Sequence, residues 1–183
     1  MLRTTIPGFP ASAPFLDERE DHKMTDYGRP FSGSNKKVEN AWIDYNGHFN
    51  MAYYGVLFDR TCDEAFELVG LDADYVKSGA SFFTLEAHTT YVRELHAGDA
   101  VRVTVQMLDH DAKRMHYVQE MFHAEEGWLS ATLEAICMHV DMEAKKSTPF
   151  PDDILAKIAA MQEAHSGLPV PPQVGHRIGI VRK

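Results

Sequence analysis

The sequence predicts an α+β chain: one long helix packed on a curved, five-stranded antiparallel sheet, with a second helix near the C-terminus. Three observations carry this prediction. Seven of the nine prolines lie in residues 1–35 or 165–183 and residues 36–148 hold none, so the body of the fold is bounded by proline-rich ends. Apolar residues recur at spacings of three and four after residue 50, then switch to strict alternation after residue 81. Short turn signals divide the alternating region into strands joined by hairpins.

A first strand runs up to a turn at Tyr45-Asn46-Gly47. The helix follows. Met51, Tyr54, Phe58, Cys62, Ala65, Phe66 and Val69 form one apolar stripe about five turns long. Asn50 suits the N-cap and Gly70 the position after the last turn. Residues 82–95 alternate, with Phe83, Leu85, Ala87 and Tyr91 on one face and Thr84, Glu86, His88 and Thr90 on the other. Residues 100–108, 114–124 and 128–141 continue the pattern, separated by turns at 97–99, 109–113 and 125–127. These connections are too short for crossovers, so the strands are antiparallel. Residues 150–165 form the second helix, with Pro151 at its first position and Ile154, Leu155, Ile158 and Met161 inward. Residues 1–35 are expected to be extended or mobile, 36–163 to be the folded domain and 164–183 to be a tail. Met24 is an alternative start. A single sheet with one helix layer leaves strand edges and sheet surface open, and pairing with a second copy as a homodimer or homotetramer answers both.

The 183 residues carry a net charge of -9. An acidic total argues against nucleic acid as a partner, and no run approaches the ~18 apolar residues of a membrane span. The N-terminus has no apolar run long enough for a signal peptide. Cys62 and Cys137 form no CxxC pair and sit in apolar patterns, which points to buried free thiols and a cytoplasmic setting. Ten histidines are present, but no HExxH occurs and the pattern implies neither a metal nor another cofactor.

The chemistry concentrates in WIDYNGHFN, residues 42–50. Asp, Asn and Gly are also ordinary turn residues, so turn geometry alone is one reading. The other starts from position. The motif abuts a helix N-terminus, where the amides of Met51, Ala52 and Tyr53 are free to meet an anion or a developing oxyanion. A turn brings the Asp44 carboxylate back beside those donors, as general base or nucleophile for acyl transfer. His48 and Asn50 supply hydrogen bonds that hold the geometry.

These residues, read as D-x-x-G-H-x-N-x-x-x-Y from Asp44 to Tyr54, resemble the signature of hotdog-fold acyl-CoA thioesterases of the 4-hydroxybenzoyl-CoA thioesterase type. The resemblance spans roughly residues 36–163. DYNGHFN, YVRELHAGD, DAKRMHY, TLEAHTTY and TLEAICMHVD resemble the branch acting on carnitinyl-CoA and betainyl-CoA, whose acyl groups end in trimethylammonium. It implies the hotdog fold, an acyl-CoA substrate, Asp44 as the catalytic carboxylate and the Met51 amide as the group polarising the thioester carbonyl, with His48 and Asn50 in support. Some members use a glutamate on the long helix instead; Glu64 and Glu67 lie there but read as charges on a solvated face. A hotdog hydratase or dehydratase, and a non-catalytic acyl-CoA-binding module, are the rival readings.

Further substrate contacts are expected from Glu86 and His88, which share a strand face, and from Tyr45 and Tyr54. Arg93, Lys113 and Arg114 are the cations for the CoA phosphates. Trp42, Tyr45, Tyr53, Tyr54 and Phe82 are the aromatic rings available to cage a quaternary ammonium. Glu134, in an apolar strand, must be either partnered or in a pocket.

Overall fold

The computed structural model describes residues 25–180. Met24 and the segment before it, together with the last three residues of the basic tail, lie outside the described residues.

Two short strands, β1 (Phe31–Ser32) and β2 (Lys36–Lys37), precede a 3-10 turn at Asn40–Trp42. Helix α1 spans Met51–Glu67 and a short helix α2 spans Ala73–Val76. Four long strands follow: β3 (Ala80–Tyr91), β4 (Ala100–His110), β5 (Arg114–His123) and β6 (Leu129–Asp141), then β7 (Lys146–Ser147) and α3 (Asp152–His165). All pairings are antiparallel, and the sheet order is β1-β4-β5-β6-β3, with β2 also on β4 and β7 on β6. The sheet is therefore five strand positions wide, although it is built from seven pieces. The expected first strand does not run up to the turn at Tyr45: it ends at Lys37, the 3-10 turn follows, and a second short piece, Phe31–Ser32, pairs with β4 from the segment before residue 36.

Helix α1 lies across one face of the sheet. Leu57, Phe58, Cys62, Ala65 and Phe66 are buried there, facing Val101, Val103, Val105, Met107, Met115, Tyr117 and Met121. Each large side chain removed from water in this way contributes about 1.5–3 kcal/mol before entropy. Met51 leaves the predicted stripe: it is 69% exposed, at the start of the helix. Gly70 closes α1 as expected, at φ +88°, with Leu71 N–H on Phe66 O at 3.0 Å and Gly70 N–H on Glu67 O at 3.0 Å, the two bonds of a Schellman motif. A Cβ there would also come within 2.9 Å of Ile154 Cδ1. Pro151 is the N-cap of α3, one position earlier than expected.

Strand β3 does not alternate cleanly. Its register against β6 shifts between Thr84 and Glu86, leaving Leu85 as a bulge. Phe83 pairs with Met138 but Ala87 pairs with Ala135, so the two point to opposite faces, not to one. Glu86 and His88 face away from α1 with their partners Ile136 and Glu134. β3 is also the sheet edge, which explains why Phe83 and Leu85 are 54% and 52% exposed.

The domain boundary drawn at residue 36 cuts through packed structure. Tyr27 is buried in the core and Gly33 N–H bonds Val103 O at 2.9 Å. Glu64, expected on a solvated face, clamps this segment to α1: it accepts Lys36 Nζ at 2.7 Å, Ser34 N at 2.7 Å and Ser34 Oγ at 2.7 Å. Partial burial pushes its carboxyl up, but the bonds from Lys36 and Ser34 outweigh this and hold it below the usual 4.5. Its contribution is therefore present above pH 4.5 and lost as pH falls through the lowered value. We expect Glu64→Gln to cost about 1 kcal/mol at pH 7, with the deficit shrinking in urea titrations as pH is taken below 4.5. A deficit that does not change with pH would show that the clamp is not ionic.

The tail beyond α3 is a strap, not a loose end. Pro171 is buried, Gly175 N–H bonds Glu134 Oε2 at 2.7 Å, and His176 stacks on His88 with ring centroids 6.2 Å apart. Glu134 and His88 belong to the face opposite α1, so the strap crosses the helix-free side of the sheet.

Candidate functional site

The chain enters α1 through a tight reversal. Asp44 N–H bonds His48 O at 2.9 Å, Gly47 N–H bonds Asp44 O at 3.0 Å, and Gly47 takes φ +80°. The Asp44 carboxylate closes the turn with one oxygen: Oδ1 accepts Asn46 N at 2.8 Å and His48 N at 3.4 Å. Oδ2 has only a 3.5 Å contact to Asn46 Nδ2. Turn chemistry thus uses one oxygen and leaves the other available.

Asn50 is the N-cap. Its side chain accepts Ala52 N at 3.0 Å and its backbone carbonyl accepts Tyr53 N at 3.0 Å. Two of the three amides expected to be free are therefore used. Among the described residues the Met51 amide has no acceptor. Asn50 thus narrows the anion-binding capacity of the helix end to a single N–H.

Asp44, His48 and Met51 line an open groove of about 380 Å³ with Tyr54, Tyr91, Arg93 and Glu94. The far wall is the chain just after β3, and its backbone is fixed by Ser130. Val92 N and Arg93 N both donate to Ser130 O, at 2.8 and 3.1 Å. Ser130 Oγ donates to Arg93 O at 2.7 Å, which spends its proton, so the Tyr54 hydroxyl is the donor in the 3.4 Å contact with Ser130 Oγ. Tyr54 is buried at 3% exposure, and burial raises its hydroxyl pKa above the ordinary 10.0. It positions the wall more than it offers a polar group to a ligand. Tyr91 packs edge-on to Tyr54 at 5.1 Å and donates to Met51 O at 3.3 Å. Arg93 lies over the Trp128 ring at 4.0 Å; stacking occupies the guanidinium face and leaves its in-plane N–H donors for an anion. Glu94 is held below the ordinary carboxylate value, first by its own backbone amide and then by His48, His96 and Arg93.

The other expected contacts fall elsewhere. Tyr45 is 97% exposed and points out of the reversal. Trp42 stacks on Tyr53 at 5.5 Å inside the core, and Phe82 meets Phe66 at 5.4 Å, so neither ring reaches the groove. Glu86, His88 and Arg114 line a separate cleft of about 520 Å³ on the helix-free face, roofed by the strap. There Arg114 is tied to Asp111 at 2.6 Å and Glu134 to His116 at 2.8 Å. Lys113 sits in the same β4–β5 turn, which Asp111 Oδ1 closes by accepting the Lys113 and Arg114 amides at 2.8 Å. One chain therefore brings Asp44, His48, Met51, Tyr54 and Arg93 together, with Asn50 capping behind them, but not Glu86, His88, Lys113 or Arg114. The sequence reading missed Tyr91 and Glu94. The signal was present, since both flank Arg93 in YVRE, immediately before the turn that ends the strand.

No helix among the described residues is long and apolar enough to cross a membrane. Both cysteines are buried free thiols, and burial pushes the Cys137 thiol up to about 12.

Comparison with known proteins agrees with this geometry. The model of the Thioesterase-like superfamily matches residues 38–158. The betainyl-CoA thioesterase of Pseudomonas aeruginosa is 39% identical over 140 residues, covering 76% of this chain and 88% of that relative. The L-carnitine dehydrogenase/betainyl-CoA thioesterase of Rhizobium meliloti is 36% identical over 157 residues, covering 86% of this chain; this chain spans 32% of that relative's length. A Staphylococcus aureus protein solved in complex with CoA superposes with a TM-score of 0.78 at 31% identity, covering 83% of this chain and 96% of that one. The fold, the reversal before α1 and these matches lead to one assignment: the chain belongs to the thioesterase-like superfamily of hotdog proteins.

Proposed function

We propose that the chain is an acyl-CoA thioester hydrolase, releasing CoA and a free acid, and that its substrates carry trimethylammonium acyl groups such as betainyl or carnitinyl. One observation carries the chemistry: the little-used Oδ2 of Asp44 and the Met51 amide, which has no acceptor among the described residues, belong to residues lining one groove. The amide polarises the thioester carbonyl and takes the charge of the tetrahedral oxyanion. Asp44 either removes a proton from the attacking water or attacks the carbonyl itself, to be freed by water afterwards. In both routes one water is consumed, the C–S bond breaks and the CoA thiolate leaves without a strong general acid. His48 and Asn50 hold the reversal and the helix start.

The acyl group is proposed from the named relatives, of which one is a betainyl-CoA thioesterase. Arg93 is the cation in position for CoA phosphate. Lys113 and Arg114 join it only across a subunit boundary, in a homodimer or homotetramer. The reading includes a cytoplasmic setting, which two buried free thiols fit. The test is thiol release from betainyl-, carnitinyl-, hydroxybenzoyl- and short straight-chain acyl-CoAs. Turnover fastest with the trimethylammonium esters is expected; no thiol release from any of them would end the hydrolase reading.

A further inference from the structure

We propose that Tyr91 and Glu94 form the contact that selects a cationic acyl group in the Asp44 groove. The inference rests on the hydrolase reading above and adds residues that the signature motif does not contain.

The acyl group is short. In a betaine ester the ammonium nitrogen, one carbon and the carbonyl carbon repeat the N–Cα–C frame of an amino acid, which holds the nitrogen about 2.5 Å from the carbonyl carbon. A carbonyl placed on the Met51 amide therefore leaves its cation no room to reach a distant cage. The group must be met by side chains that already touch the start of α1. Tyr91 is such a side chain: its hydroxyl is on Met51 O at 3.3 Å, its ring is 47% exposed, and Tyr54 braces it edge-on at 5.1 Å. Trp42, Tyr53 and Phe82 are committed to other ring contacts.

Charge points the same way. The groove lining holds two carboxylates, Asp44 and Glu94, against one guanidinium, Arg93. It is therefore net negative with neutral histidine, and the guanidinium is stacked on Trp128. Among the described residues Glu94 makes no salt bridge, so no direct ion pair competes with a ligand for its carboxylate. A quaternary ammonium donates no hydrogen bond; an aromatic face and an unpaired carboxylate are the two groups that bind it.

The experiment compares betainyl-CoA with 3,3-dimethylbutyryl-CoA, the uncharged carbon isostere of the same shape. The ratio of the two kcat/KM values is measured for the wild type, Tyr91→Leu, Tyr91→Phe and Glu94→Gln. The wild-type ratio should favour betainyl-CoA. Tyr91→Leu and Glu94→Gln should each lower it about tenfold, and Tyr91→Phe, which keeps the ring face, should retain it. General damage to the site would lower both rates together and leave the ratio alone, and that result would overturn the proposal. A wild type that treats both esters alike would overturn it while leaving the hydrolase intact. A wild type that releases thiol from neither would remove the hydrolase reading and this inference together.

Discussion

Asp44→Asn is expected to lower kcat/KM for the best acyl-CoA by about 10²–10⁴-fold, the usual contribution of a positioned general base, without disturbing the fold. The asparagine is chosen because Asp44 has two roles. Its Oδ1 closes the reversal by accepting Asn46 N at 2.8 Å, and an asparagine side-chain oxygen can accept the same bond. What asparagine lacks is the basic, nucleophilic second oxygen. Circular dichroism and Tm should therefore match the wild type while activity collapses. Asp44→Ala would remove both roles and confuse them. Full turnover in Asp44→Asn would return the motif to turn geometry alone. The wild type can then test the nucleophilic route in a single turnover in ¹⁸O-water: label found in Asp44 identifies the nucleophile, and label found only in the product acid means that water attacked the acyl carbon, as the base route requires.

The second large effect is expected at the β3 edge. Phe83→Lys with Leu85→Lys should convert the protein from a homodimer or larger assembly to a monomer and abolish most activity. A twelve-residue strand with one edge unpaired among the described residues, and two half-exposed large apolar side chains, is an invitation to pair. Burying the exposed half of each side chain is worth about 1 kcal/mol. A two-fold axis counts each twice, giving about 4 kcal/mol, or about 10³-fold in Kd. Activity should follow because β3 runs directly into the groove wall at Tyr91. Sedimentation velocity at micromolar concentration gives the mass. A monomeric wild type, or a double variant that keeps its assembly state, would rule out this edge as the interface.

Most of the architecture was readable because it depends on local periodicity. Alternation located the four long strands to within a few residues, and the Asn50 and Gly70 signals bracketed α1. The failures have two causes: a deciding contact distant in sequence, or a local geometry that leaves no period. Glu64 looked solvated because its partners Ser34 and Lys36 lie about thirty residues away. The bulge at Leu85 leaves no mark in an alternating run, yet it reverses which face Phe83 shows relative to Ala87. Strands β1 and β2 are too short to carry a period. In the site, the reversal from Asp44 to Gly47 was legible, but its geometry turns Tyr45 outward, and the aromatic wall comes from Tyr91, more than forty residues later.

The strap gives the segments at residues 27–33 and 167–177 a shared fate. Arg29 lies within 3.7 Å of where a side chain on Gly167 would begin, Tyr27 is packed into the core that contains α3, and Gly175 is fastened to β6 through Glu134. The N-terminal approach, the last helix and the strap thus interlock around the sheet like a buckle and its belt. A protease or an added tag that loosens residues 170–177 would also slacken Arg29 and its neighbours, so amide exchange in residues 27–33 and 167–177 should rise and fall as one cooperative unit.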